Sequence, residues 1–316
     1  MDPLSDVLSL LKPRSHVSSG FDAGGDWSIQ FPDQNRTIKC YAVVSGAAWL
    51  AVDGVDAAAH LRQGDCFVLP TGRAFRLASD PALSPEPSSR YFPPPRPGSV
   101  IRVNGGGDFF IVGSRFEVQG RHAGILMGLL PPIVHIHRQA DQAALRWSVE
   151  RMMQELREPL PGHALVAQHL AHLMLVQALR LHVHDTPAHA VGWLFALADR
   201  QLGAAIGAVH ADPAHRWTLQ ALAERACMSR SSFALKFRDA LGAPPMEYVT
   251  RWRMVLAADR LEHTDDPISK IAPALGYESE SAFGTAFKRV MGQSPREYAR
   301  MLDPAADTSQ RALAAG

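Results

Sequence analysis

Apolar positions recur with different periods along the chain. In the first 12 residues Leu4, Val7, Leu8 and Leu11 stand three and four apart, which predicts a short amphipathic helix. From about Ile38 the period shortens. CYAVVSGAAWLAV and CFVLP are short apolar runs with β-branched and aromatic members, and Asp53-Gly54 and Gly64-Asp65 supply tight turns between them. SVIRV, DFFIVGSRFEV and, more weakly, ILMGLLPPIVHIH continue this character, so an antiparallel β domain is expected over residues 1–138. Seven prolines between Asp80 and Gly98 (Pro81, Pro85, Pro87, Pro93, Pro94, Pro95 and Pro97) remove too many backbone donors for regular pairing and predict a flexible surface loop over about 80–98.

From Asp141 the period becomes helical. Segments at about 141–158, 162–184 and 190–209 form an expected linker over 139–210. The middle segment carries Leu165, Val166, His169, Leu170, Leu173, Leu175 and Val176, apolar enough to pack against a second subunit, so a homodimer is expected.

The C-terminal part compares with itself at an offset of 50 residues. Ser229, Ser231, Phe233, Phe237, Gly242, Pro245, Glu247 and Tyr248 recur as Ser279, Ser281, Phe283, Phe287, Gly292, Pro295, Glu297 and Tyr298. Each serine suits a helix N-cap, each phenylalanine pair at i, i+4 faces one side, and each glycine followed by proline ends the helix. Upstream, TLQALAERACM and PISKIAPALGY predict a preceding helix in each copy, and Gly276 suits the turn in the second. Pro273 falls within that predicted helix, early enough to be tolerated. The pattern predicts an all-α domain over 212–303 with two helix-turn-helix units, at about 218–239 and 266–289, joined by one long helix over residues 245–263. Residues 304–316 are expected to be a disordered tail.

A length of 316 residues, about twice the usual domain size, agrees with a multidomain α and β chain. Charge does not advertise a nucleic-acid partner: the whole chain is +1, and residues 212–303 hold 13 Lys+Arg against 12 Asp+Glu, again +1. Contact with DNA must then rest on where cations stand. No apolar run reaches the roughly 18 residues of a membrane span, and the N-terminus has acids where a signal peptide carries positive charge, so the expected place is the cytoplasm, with no membrane partner. Three scattered cysteines without Cys-x-x-Cys spacing predict neither a disulfide framework nor a zinc site.

GYESESAFGTAFKRVMGQSPREY is close to the signature segment of the AraC/XylS-type DNA-binding domain, which the last 90 or so residues resemble; GDCFVLPTGRAF is similar to the second motif of a cupin-type sensor. The resemblance implies a cupin-like antiparallel β-barrel before the helices. It also implies a bacterial transcription regulator, often an activator, that binds double-stranded DNA, answers a small-molecule effector, works with RNA polymerase and is not an enzyme.

With the phenylalanines inward, the helical angle turns Ser231, Ala234, Leu235 and Arg238 outward in the first unit, and Ser281, Gly284, Thr285 and Lys288 in the second. Arg230 and Glu280 flank these faces, while Lys236, Arg238, Lys288 and Arg289 are candidate phosphate or base-edge cations. The resembling family often has arginine where Thr285 stands, which points to the first unit as the main reader of sequence. A ligand in the barrel would meet some of Tyr41, Trp49, Phe67, Arg73 and Phe75. Cupin metal sites need closely spaced histidines, a carboxylate and a later histidine; Phe75 stands at the last position, so no metal or other cofactor is expected. His135 and His137 come later and project to one side of a strand. The competing readings are a cupin enzyme with an accessory helical domain and a regulator that senses oxidants through Cys40 or Cys66.

Overall fold

A computed structural model of the chain describes residues 2–92, 99–137, 139–158, 160–185 and 191–300. Its elements run α1 (Pro3–Leu11), β1 (Arg14–Ala23), β2 (Ser28–Phe31), β3 (Thr37–Ser45), β4 (Ala47–Val52), β5 (Ala59–Arg62), β6 (Cys66–Leu69), β7 (Phe75–Ala78), β8 (Glu86–Pro87), β9 (Val100–Val103), β10 (Phe109–Glu117), α2 (Ala123–Met127), β11 (Val134–Ile136), α3 (Gln139–Arg157) and α4 (His163–Asp185). Then follow α5 (Trp193–Ala198), α6 (Arg200–Ala211), α7 (Leu219–Arg225), α8 (Arg230–Leu241), α9 (Pro245–His263), α10 (Ile268–Ala274), α11 (Glu280–Met291) and α12 (Pro295–Arg300). They form two compact units. The strands with α3 and α4 make one; α1, residues 120–126 and α5–α12 make the other.

The first unit is built on two sheets, ordered β11-β6-β3-β10-β1-β9 and β5-β4-β7-β2-β8. They are not closed into a barrel, and the pairing is mixed. Most ladders are antiparallel, but β9 joins β1 and β8 joins β2 in parallel, because each returns through a long excursion instead of a hairpin. Alternation on β3 and β10 explains their apolar runs. Val43, Ile111 and Phe109 face the core shared with Ile29, Leu50, Phe75 and Leu77, while Ile38, Cys40 and Phe116 are buried as well. Phe116 meets the His172 ring of α4 edge-on at 5.1 Å.

Three stretches depart from the periodic reading. RSHVSSGFDA, polar in composition, is β1, paired along its length with β10. ILMGLLPPIVHIH is a strand only over Val134–Ile136, its start belonging to α2. The proline-rich segment is also more than a surface loop: Phe92 stacks on Phe21 at 5.7 Å and meets Phe31 at 5.1 Å, so its aromatics seal the core. Residues 93–98 lie outside the described residues.

α4 is long and apolar enough over His163–Val183 to cross a membrane, contrary to the reading of the bare sequence. Leu170, Met174, Leu175 and Leu179 spend much of that character in burial, where α4 meets β1, β6, β11 and α3.

In the helical unit α1 buries Leu4, Val7 and Leu11 and packs on α6. The single helix expected over 190–209 is broken at Asp199. Its carboxylate accepts from the Gln201 and Leu202 amides and so starts α6 as an N-cap. Ser229 and Ser279 cap α8 and α11 by accepting from Ser232 N and Ala282 N. Gly242 and Gly292 close these helices at φ +69° and +80°. Pro273 stands in the last turn of α10, which stops one residue later. The expected tail at 304–316 lies outside the described residues.

Candidate nucleic-acid interface

Two helix pairs, α7 with α8 and α10 with α11, flank α9, whose 19 residues span about 28 Å. Burial fixes which side of each pair faces water. Phe233, Phe237 and Ala240 are buried on α8; Phe283, Ala286 and Phe287 are buried on α11. The opposite sides therefore face solvent. Arg230, Ser231, Leu235 and Arg238 are exposed on α8, with Ala234 half-buried; Glu280, Ser281, Thr285, Lys288 and Arg289 are exposed on α11, with Gly284 half-buried. Leu235 is 53% exposed, a large apolar side chain with no fold-level reason to be outside.

Among the described residues, Arg230, Arg238, Lys288 and Arg289 enter no ion pair, so their charges are available to a polyanion. Lys236 differs from the expectation. Its Nζ lies 2.6 Å from Asp199 and donates to Gln201 Oε1 at 2.9 Å, which ties it back onto the start of α6. Thr285 spends its hydroxyl within its own helix by donating to the Ser281 carbonyl.

Each pair is held from behind by the tyrosine that repeats at the 50-residue offset. Tyr248 Oη accepts from Trp193 Nε1 at 2.9 Å and lies 2.8 Å from His210 Nε2; His210 Nδ1 lies 3.1 Å from Asp6 of α1. Burial lowers the His210 pKa from 6.5 to about 3, so the ring is neutral, accepts a hydrogen bond from the Tyr248 hydroxyl at Nε2 and donates from Nδ1 to Asp6. Burial likewise raises the Tyr248 hydroxyl far above its ordinary value. Tyr298 instead donates to Glu262, which also accepts from the Arg121 amide at 2.9 Å. Although burial opposes ionisation of Glu262, the His122 ring 3.5 Å away and the hydrogen bonds from Tyr298 and the Arg121 amide hold its pKa at about 2. These networks were not foreseen in the sequence, where only the repetition of the tyrosine hinted at them.

In the sheet unit the candidate ligand residues do not converge. A cavity of about 260 Å³ is lined by Tyr41 but not by the other four. Phe67 is wholly buried in the core, and Phe75 stacks on Phe31 at 4.4 Å beneath the cavity. Trp49 lies against His60, and exposed Arg73 donates to the Asp53 carbonyl, closing a turn. Lys39 and Arg115, which the sequence did not single out, do line it. The donor set for a cupin metal does not fit, since Phe75 is core packing where the last histidine would stand. His135 does have a carboxylate partner, Asp65, at 2.9 Å. Cys40 and Cys66 prove to be neighbours: the hydrogen bond that the Cys40 thiol donates to Cys66, together with burial, pushes that thiol well above its ordinary pKa.

Comparison with known proteins finds two families in succession along the chain. A cupin family model matches residues 2–184, and a helix-turn-helix domain model matches residues 222–301. A Streptomyces lividans protein described as an AraC-like transcription regulator is 42% identical over 299 residues, covering 94% of this chain and 98% of its own. The transcriptional regulator AlkR of Acinetobacter baylyi is 29% identical, covering 94% and 99%, and the RCS-specific transcriptional activator RclR of Escherichia coli is 28% identical, covering 94% and 97%. By the near full-length match to the Streptomyces relative, with a cupin region followed by a helix-turn-helix domain, the chain belongs to the AraC-like transcription regulators.

Proposed function

We propose that the helical unit reads double-stranded DNA through two helix-turn-helix units, α7–α8 and α10–α11, as an activator answering an effector held by the cupin unit. One observation carries the reading. Both helices that bear serine caps and buried phenylalanine pairs turn unpaired cations outward, and a single rigid helix joins them. A connector of this length suits entry into successive major grooves, about 34 Å apart on one face of the duplex.

The first unit carries most of the base readout. Arg230 and Arg238 can grip guanine edges, while the second unit offers Lys288 and Arg289 beside Gly284 and an internally bonded Thr285, a face suited to phosphate positioning and DNA shape. With a helical unit near neutrality, affinity rests on these few contacts. Along the chain we read a sensor region over 1–138, helices over 139–210 and a DNA-binding part over 212–303, with α1 packing in the helical unit and α3 and α4 in the sheet unit. An exposed row on α4, Leu165, Val166 and Leu173, is an apolar strip for a second subunit, and the homodimer works in the cytoplasm with RNA polymerase.

The enzyme reading finds no support in the residues at the cupin second motif. The oxidant reading is opposed by chemistry: both thiols are buried away from an oxidant, and the raised pKa of Cys40 makes it a poor nucleophile. Footprinting on genomic fragments selected by the purified protein tests the proposal. Two protected segments one helical turn apart are expected; uniform, sequence-independent protection overturns it.

A further inference from the structure

β3 and β10 run antiparallel with Lys39 directly opposite Arg115. Residues so paired share one face with their Cβ atoms about 5 Å apart, and like charges there repel. Alternation puts both on the side that looks between the sheets, where they line the 260 Å³ cavity. Lys39 is only 6% exposed. Among the described residues no carboxylate answers it; its Nζ rests over the Phe75 ring at 4.1 Å and the Phe31 ring at 4.9 Å. Arg115 pairs through Nη2 with half-exposed Glu117 at 3.1 Å, but its Nε is buried with no acceptor. Two cations thus share a pocket holding at most one compensating charge, and burial and Arg115 together lower the Lys39 pKa to about 7. A fold gains nothing from that arrangement, since methionine would fill the Lys39 position without a desolvation cost.

The remaining lining gives the missing partner its shape. Phe31, Tyr41, Phe92 and Ile101 are apolar walls, with the Ser88 and Ser89 hydroxyls beside them. The volume is just under the roughly 300–1,000 Å³ of sites for drug-sized ligands, and admits one ring or a short alkyl chain with an anionic head. We propose that this cavity binds a small organic monocarboxylate, its carboxylate seated between Lys39 and Arg115 and its apolar body against Phe31, Tyr41 and Phe92. A phosphate would find the cations but waste the aromatic walls; a neutral hydrocarbon would leave the cations unanswered. The inference rests on the reading of the cupin unit as the sensor and names the chemistry of its effector.

The test uses the purified full chain, thermal unfolding and titration calorimetry, with benzoate and hexanoate as probes against benzamide, hexanol and inorganic phosphate. At least one carboxylate is expected to raise the unfolding midpoint in a saturable way, while its neutral analogue and phosphate do not. Lys39→Met is expected to unfold no earlier than wild type without ligand and to lose the shift; Arg115→Gln weakens binding at least tenfold. Equal shifts from benzamide or hexanol, no shift from either carboxylate, or a Lys39→Met protein that keeps the shift overturns the inference. So does a Lys39→Met protein that is destabilised without ligand, because the lysine is then structural. Footprinting with and without the carboxylate separates the two readings. Lys39-dependent binding with unchanged DNA occupancy keeps this site and removes the sensor role. An occupancy that responds to neutral compounds alone, with no carboxylate bound, does the reverse.

Discussion

Between α7 and α8 the residue in the left-handed region is Cys227, at φ +53°; between α10 and α11 it is Gly276, at φ +78°. At Gly276 a Cβ would meet the Ala214 carbonyl oxygen at 2.3 Å, so this turn is pressed against backbone, while Cys227 is exposed and its turn accommodates a side chain. The rear supports differ in kind as well. Tyr248 sits on a neutral imidazole, Tyr298 on an ionised carboxylate. A duplicated helix pair can thus keep its caps and its phenylalanine core while the turn and the anchor are solved by different chemistry.

Four measurements would break or sharpen that contrast. Gly276→Ala is expected to cost about 3 kcal/mol by chemical denaturation, because it adds left-handed strain to a backbone clash, whereas Cys227→Ala costs under about 1 kcal/mol. Equal losses would mean that the turns are equivalent. Arg238→Ala is expected to weaken operator binding at fixed salt by about 1–3 kcal/mol, against under about 0.5 kcal/mol for Thr285→Ala; similar small losses would contradict unequal readout.

The anchors separate by pH. His210 is depressed from 6.5 to about 3, so the unfolded chain takes up a proton that the folded one refuses. Its contribution is complete above about pH 6.5 and erodes as pH falls toward 3, the loss amounting to roughly 1 kcal/mol by pH 5.5. Glu262, lowered from 4.5 to about 2, contributes above 4.5 and fades only below it. A pH series of wild type and His210→Gln should therefore diverge in slope between pH 6.5 and 5; parallel curves would show that the imidazole does not set this window. The caps should differ least: Ser229→Ala and Ser279→Ala each cost about 1 kcal/mol, and a gap above about 1 kcal/mol between them would show that one serine does more than cap.

Much of the helical unit was legible because local rules decide it. Serine, paired phenylalanines, glycine and proline fix the starts, inner faces and ends of α8 and α11 without reference to the rest of the chain. The outward residues followed from helical angle, except Lys236, whose partner Asp199 is 37 positions earlier and visible only once α6 and α8 meet. In the sheets, where contacts are distant, less could be read. β1 is polar enough to pass for a loop, and its strand character comes from pairing with β10, some ninety residues later. Lys39 and Arg115 were hidden for the same reason: nothing in IKCYAVV or SRFEV says that the two cations stand opposite each other until register is known. Of the ligand candidates chosen as aromatics near the motif, one lines the cavity, since large rings in a small sheet domain are first of all filling.

The docking of α1 changes how this protein can be taken apart. Through Asp6 and His210, and through buried Val7 and Leu11, the first turns of the chain are part of the scaffold that supports the first helix pair. A fragment cut at the end of the sheets would carry every residue proposed to touch DNA yet leave an apolar socket on α6 open and His210 without its carboxylate. Bulky fusions at the amino terminus, or trimmed starts chosen for convenience, would therefore be felt in the half of the polypeptide that lies two hundred positions away.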